Sequence, residues 1–276
     1  MNKTKIEWVR NPDGTQGYTW NVITGCLNHV NGLCKGGDFP CYAYKLANGR
    51  LKERYLANKN IAPFVPTDTK KAKYLYDANP FYPRFWEKKL DEPFERKKPS
   101  GIFPCDMSDL FGMGVPKDWT IRTLDVIRQC PQHRFYLLTK QPQNLPTFSP
   151  FPENCWVGVT CTGKEEPGFL YPLVHLKAKV KFISFEPLLT SCVKDIERFS
   201  YGLESAGINW LIIGAQTNPY RPPEISWVRA IVEAGIKVFL KDNLKPLLVT
   251  YKDGGEYAPL WANGGYGTLR QEMPSL

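Results

Sequence analysis

The chain has 276 residues, 42% of them hydrophobic, with a net charge of +9 and an isoelectric point near 9.0. No stretch approaches the roughly 18 consecutive apolar residues of a membrane span, and the opening MNKTKIEWVR lacks the apolar segment of a signal peptide. These features argue against membrane and secreted classes. They predict a cytoplasmic protein with a polyanionic partner, whose eight cysteines serve as metal ligands or free thiols rather than disulfides.

The first predicted strand, residues 18–24 (YTWNVIT), runs into a Gly-rich loop holding Cys26, Cys34 and Cys41, with gaps of seven and six residues. A helical pattern follows at 42–57. An insertion then spans about 58–99, in which KKAKYLYDANPFYPRFWEKKLDEPFERKK (Lys70 to Lys98) mixes cations with aromatic rings. Tyr82, Trp86, Lys88, Lys89, Lys97 and Lys98 suit a nucleic-acid surface, with cations on phosphates and rings on bases. The competing reading is a solvated helical insertion whose aromatics pack on the main body.

Further strands are predicted at 101–107, 134–139, 155–160, 180–185, 209–215 and 237–241. Helical patterns lie at 116–130, opening with a proline, and at 223–235, closing with a glycine. Strands that are near-continuous apolar runs, separated by helices, predict a parallel α/β architecture covered on both faces. Seven strands, with no Gly-rich nucleotide loop after the first, favour a partial or complete parallel (β/α) barrel in one domain, 1–276. Glycines and prolines after Thr250 predict an irregular tail.

In a barrel, function gathers where the strands end. Those ends carry Asp106, Ser108 and Asp109, then Thr139 and Lys140, Thr160 to Thr162, Glu186, Gln216 and Thr217, and Lys241 and Asp242. Each residue taken singly also fits a cap or turn. Together they suit a zwitterionic ligand with sugar hydroxyls. For the cysteines three readings stand. One is a zinc tetrahedron of Cys26, His29, Cys34 and Cys41. Another is an iron–sulfur cluster on three thiolates with one iron open to a ligand. The third is ordinary cysteines in a loop.

Three cysteines after the first strand of a parallel α/β barrel resemble the radical S-adenosylmethionine (SAM) superfamily. Nearly the whole chain is similar to an uncharacterised family of phage and prokaryotic radical-SAM-like proteins, through KIEW, TWNVITGC, CYA, FYPRFWEKKLDEP, KKPSGIFPCDMSDLFG, PQHRFYLLTKQP, WVGVT, FISFEPLL and WLIIGAQTNP. The resemblance implies a [4Fe–4S] cluster on Cys26, Cys34 and Cys41 whose open iron takes SAM. The loop departs from the superfamily's CxxxCxxC by its length and by Pro40 before the last cysteine.

Asp106, Met107, Ser108 and Asp109 occupy the strand end that holds the methionine amine in the superfamily, Lys140 matches a partner for the carboxylate, and Thr160 and Glu186 match ribose contacts. Cys105 and Cys161 are candidate hydrogen-atom donors, with small buried side chains as the alternative. The implied function is reductive SAM cleavage to a 5′-deoxyadenosyl radical acting on a nucleic-acid base or nucleotide in DNA or RNA. A flavodoxin or ferredoxin would supply the electron. The alternatives are a radical SAM enzyme on a peptide or small metabolite, and a zinc-stabilised nucleic-acid-binding protein without catalysis.

Overall fold

The structure is a computed structural model that describes residues 1–63, 76–165, 168–248, 258–262 and 268–275. Its centre is an eight-stranded sheet whose strands lie side by side in chain order. They are β1 (Asn2–Lys3), β2 (Tyr18–Trp20), β3 (Gly101–Pro104), β4 (Arg134–Thr139), β5 (Cys155–Thr160), β6 (Val180–Phe185), β7 (Trp210–Ile213) and β8 (Lys237–Leu240). All neighbours are parallel except β1, which runs antiparallel to β2. The α/β class and the seven parallel strands match the expectation. β4, β5 and β6 keep the expected bounds, while β2 stops at Trp20 and β3 at Pro104, a residue that cannot donate to a ladder.

Among the described residues the α-helices longer than four residues are α1 (Tyr42–Asn48), α2 (Lys52–Ala57), α3 (Lys117–Gln129), α4 (Ile196–Ser205) and α5 (Ile225–Val232). The expected single helix at 42–57 is two, because Gly49 leaves the helical conformation at the end of α1. α4 was not among the predicted elements. Its start is capped by Asp195, whose Oδ1 accepts the Arg198 N–H at 2.9 Å. α3 buries Trp119, Thr123, Leu124 and Ile127, and α5 buries Ile225, Val228, Ile231 and Val232, spacings that put one stripe of each on the sheet. Right-handed crossovers between strands taken in order place successive helices on the same face. The outward strand residues Phe135, Leu137, Val157, Ile183, Leu211 and Val238 accordingly share one cluster with α3 and α5.

The opposite face is covered by aromatic side chains and by the N-terminal segment. Trp8, 1% exposed, meets rings from four strands: Phe103 at 5.3 Å, Tyr136 at 5.8 Å, Phe182 at 5.9 Å and Trp210 at 6.2 Å between centroids. In a flat sheet β3 and β7 stand four spacings apart, about 19 Å, whereas rings sharing Trp8 lie within about 12 Å of each other. The sheet therefore curls around the indole. Gly158 permits the packing, since a Cβ there would stand 2.4 Å from the Phe182 ring.

Residues 7–11 run the length of this concave face. Glu7 accepts the Asp242 N–H at 2.7 Å at one end, and Asn11 accepts the Gly101 N–H at 2.9 Å at the other. Arg10 donates to Gln271 Oε1 at 3.1 Å. Residues 270–272 line the outer edge of β8, with Leu240 N–H to Arg270 O at 2.8 Å and Glu272 N–H to Val238 O at 2.9 Å. Among the described residues no hydrogen-bonded strand pair joins β1 or β2 to β8, so the complete barrel among the expectations is corrected to an open sheet.

Of the expected insertion, residues 64–75 lie outside the described residues, and with them Lys70, Lys71, Lys73 and Tyr74. The described remainder packs on the main body. Phe81, Tyr82 and Phe85 are buried, and Arg84 is fully enclosed with its guanidinium on the carbonyls of Asn58, Asp77 and Asn79. Among the described residues no helix is long and apolar enough to cross a membrane.

Replacing Trp8 by Ala should cost about 3–5 kcal/mol, the range for emptying a large aromatic site. Urea unfolding measures it. A loss below about 1 kcal/mol would show that the indole does not hold the curl.

Candidate functional site

The cysteine loop is pinned before its first thiol. Ile23–Thr24 pairs antiparallel with Arg84–Phe85, Gly25 donates its N–H to Met107 O at 3.0 Å, and Ser108 Oγ donates to Gly25 O. Gly25 has φ +87°, and a Cβ there would stand 2.4 Å from the Tyr82 carbonyl oxygen, so the position requires glycine. Cys26 then donates its N–H to Phe81 O at 2.9 Å. The loop continues as three short antiparallel strands, His29–Val30, Leu33–Cys34 and Phe39–Pro40. It returns through Cys41, whose N–H meets Gly32 O at 2.8 Å and which caps α1.

Two of the three sulfurs accept a backbone N–H: Asn28 donates to Cys26 at 3.3 Å and Tyr44 to Cys41 at 3.5 Å. Cys26 stands within electrostatic range of Cys34, Cys41 and Asp109. Burial pushes its thiol from 9.0 up to about 12, and burial also raises Cys34, against the pull of the Lys140 charge. Cys26 and Cys34 are thus held as neutral thiols, and N–H donors are already aimed at the Cys26 and Cys41 sulfurs. A metal displacing those protons would replace the charge that burial disfavours.

Among the described residues no three His, Cys, Asp or Glu side chains stand as ligands of a single metal ion. The tetrahedron of Cys26, His29, Cys34 and Cys41 is not assembled. His29 Nδ1 accepts the Gly32 N–H at 3.3 Å, and its ring packs 4.9 Å from Tyr44 and 5.3 Å from Phe81. What the loop offers is three thiols, two of them with an N–H donor, and one cation, Lys140, beside Cys34. That donor set fits a polynuclear cluster ligated by thiolates, whose charge such hydrogen bonds stabilise.

The loop reaches across the strand ends. Lys164 Nζ donates to Gly37 O at 3.1 Å, and a Cβ on Gly37 would stand 3.0 Å from Leu189 and 3.1 Å from Thr162. A Cβ on Gly36 would lie 3.9 Å from Cys34 Sγ and 3.5 Å from the Lys140 side chain. Here a cavity of about 390 Å³ opens, lined by Gly36, Lys140, Gln143, Thr160, Glu165 and Phe169 among others. Thr160 is 5% exposed and its Oγ1 has no partner, as is true of Ser184 Oγ, its register neighbour on β6. Two orphaned buried hydroxyls at adjacent strand ends are costly unless a ligand or water meets them.

The other expected residues fall into distinct places. Asp109 is buried and already engaged, accepting from Phe111 N–H at 3.0 Å, Thr139 Oγ1 at 2.9 Å and Lys140 N–H at 3.0 Å. It ties the ends of β3 and β4 together beneath the cysteines. Met107 packs with Cys26 and Cys41 around Phe81. Glu186 pairs with Lys241 and accepts from Trp8 Nε1 at 3.3 Å. Asp106 accepts from Asn21 Nδ2 at 2.5 Å and faces a second cavity.

The remaining expected residues differ in how far they are covered. Cys105 and Cys161 are enclosed in the helix-side core, and Cys161 Sγ donates to Glu165 Oε2 at 3.1 Å. Tyr82 is 5% exposed and packs against Tyr76 at 4.8 Å, which removes it from any base-stacking surface. Trp86 is partly covered and donates its Nε1 to Thr24 Oγ1 at 2.8 Å. Lys88, Lys97 and Lys98 are exposed, Lys98 in a 2.8 Å pair with Asp13, while Lys89 turns toward Trp86. Residues not predicted from the sequence also line the cavities: Gln143, Glu165 and Phe169 in one, Tyr42, Arg50 and Arg54 in the other. The Arg50–Arg54 spacing of four residues just after the cysteines was a legible signal for the second set.

Two outcomes follow from this geometry. Asp109→Ala should lower stability by on the order of 3 kcal/mol by orphaning three buried donors, as read by urea unfolding. In the metal-free chain Cys26 should alkylate with iodoacetamide at pH 8 at least about tenfold more slowly than an exposed thiol, since the raised pKa leaves little thiolate. Equal rates, measured by peptide mass spectrometry, would mean the loop is open.

No curated protein and no solved structure matches the chain. A family model does match, over residues 3–243, with the description "Protein of unknown function (DUF5131)". A match over so much of the sequence, running from β1 to the end of β8, places the whole parallel sheet and the cysteine loop within that model. The chain belongs to the DUF5131 family.

Proposed function

We propose that the chain is a radical SAM enzyme, with its open curled sheet a partial barrel of that superfamily. Cys26, Cys34 and Cys41 would hold a [4Fe–4S] cluster, and the cavity beside Cys34 would take SAM. The observation that carries the reading is one loop whose three cysteines lie within electrostatic range of one another, two of them with a backbone N–H on the sulfur, beside Lys140 and the strand-end cavity. When bound, the cluster and SAM together supply a one-electron reductive cleavage of the sulfonium that yields a 5′-deoxyadenosyl radical.

The chain's own groups bind, orient and exclude water. Lys140 lines the cavity and carries the charge for a carboxylate. The unpaired Thr160 Oγ1 offers a donor to a hydroxyl or ring nitrogen. Phe169, Pro142 and Pro172 form an apolar wall against which a flat ring can lie. Asp109 acts as a positioning residue, fixing the Lys140 backbone through its 3.0 Å bond. The net charge of +9 supports a nucleic-acid base or nucleotide as substrate and a small acidic electron carrier such as a flavodoxin or ferredoxin as partner.

Anaerobic reconstitution with iron and sulfide should load about four irons per chain and give a brown, air-sensitive protein. Cys26→Ala, Cys34→Ala and Cys41→Ala should each abolish loading. With a chemical reductant, wild type should convert SAM to 5′-deoxyadenosine and methionine, measured by chromatography. Lys140→Ala should weaken SAM binding roughly tenfold or more while iron content holds, the usual effect of removing a charged partner. A wild type that takes up only zinc, or a triple cysteine variant that still loads iron, would overturn the reading.

A further inference from the structure

On the far side of Met107 from the cysteine loop lies a second cavity, of about 210 Å³, bounded by α1, α2, the β1–β2 edge and Trp86. Its lining brings together three cations, Arg50, Arg54 and Lys89, against one carboxylate, Asp106. Among the described residues none of the three cations forms an ion pair. Glu92, the other acid near Lys89, is held by the N-terminal ammonium at 2.6 Å, and Asp106 already accepts from Asn21. Arg54 and Lys89 lie 5.6 Å and 5.8 Å from the centroid of the same indole, Trp86, and all three residues line the cavity.

We propose that this cavity binds a phosphate group carried by a ligand. Arg50 and Arg54 are exposed and Lys89 is half-buried; like charges gathered around one cavity repel each other, and an anion between them relieves that repulsion. Two guanidinium forks and an ammonium offer more donors than the two oxygens of a carboxylate accept, and match the oxygens of a phosphate. The hydroxyls of Thr19 and Tyr55, also in the lining, add neutral donors. Trp20 Nε1 bonds to the Lys89 carbonyl at 2.6 Å and sets the backbone from which the ammonium projects.

The cavity wall is shared with the cysteine loop. Met107 lines the cavity and packs against Cys26 and Cys41, and Gly25 bonds to its carbonyl. A phosphate held here stands across the Met107 side chain from Cys26 and Cys41. Its role as a substrate anchor rests on the proposed radical chemistry, whereas binding itself needs no cluster.

The test is calorimetric titration of the metal-free full chain at low salt with inorganic phosphate, AMP, and an oligonucleotide with and without a 5′-phosphate. Wild type should bind at least one phosphate species, and Arg54→Gln combined with Lys89→Gln should weaken it roughly tenfold or more. Phosphate should raise the thermal midpoint of wild type and not of the double variant, while Lys117→Gln, on exposed α3, behaves as wild type. Tightest binding of AMP or the 5′-phosphorylated strand identifies a nucleotide or strand end as the source, and equal binding of inorganic phosphate identifies a free anion. Undiminished affinity in the double variant, or no binding of any phosphate species to wild type, overturns the proposal. Iron loading measured on the same variants separates this failure from failure of the cluster reading, since neither residue is a thiol.

Discussion

The indole of Trp8 touches side chains from β3, β4, β6 and β7, and that shared contact forces the sheet to bend. Bending brings the C-terminal ends of the strands toward one another, which a flat sheet of the same length would spread apart. The curl puts Lys140, Thr160, Ser184, Glu186 and Lys241 around one mouth. The same residue reaches that mouth directly, since its Nε1 bonds to Glu186, which pairs with Lys241. Gly214 allows that ion pair to lie flat, because a Cβ there would stand 2.9 Å from the Lys241 side chain.

Desolvation sets the chemistry at the mouth. The Cys26 and Cys34 thiols and the Asp109 carboxyl are largely withdrawn from water, and at these three burial resists the charged form. The protein offsets this locally, by N–H groups on the sulfurs, by three donors on Asp109 and by the Lys140 charge near Cys34. Such a site is quiet while its thiols keep their protons and is poised for a ligand that displaces them. Thr160 and Ser184 carry no such compensation, since their buried hydroxyls have no hydrogen-bond partner among the described residues.

The second cavity shows the same logic with the opposite sign. Its three cations lie against an indole, hydroxyls and a single carboxylate, Asp106, so positive charge outnumbers negative in the lining. The two cavities are separated by Asp106 to Asp109, a stretch whose backbone and side chains bond to Asn21, Gly25, Thr139 and Lys140. That turn is the partition of the site.

Much of this was legible in the residues. Apolar runs bounded by polar ends specified β4, β5 and β6, because strands buried on both faces tolerate few polar side chains. Strand endings marked Lys140 and Thr160, and three cysteines in a Gly-rich loop marked the likeliest chemistry of the chain's first crossover. Periodicity was silent on α4, which rests on a cap at Asp195, and on the break at Gly49. It was also silent on the fate of the aromatics at 81–86. Their composition suits an exposed stacking surface and a buried wedge equally well, and only packing against Thr24, Tyr55 and Trp119 decides for burial. By itself the sequence determined the α/β class, the strand order of events and the thiol loop, since those follow from local pattern. The tertiary structure alone decided that the sheet curls without closing, that Asp109 is spent on holding two strand ends, and that Arg50, Arg54 and Lys89 share one cavity. Those outcomes depend on which distant side chains compete for the same donors and the same space, and no local pattern encodes that competition.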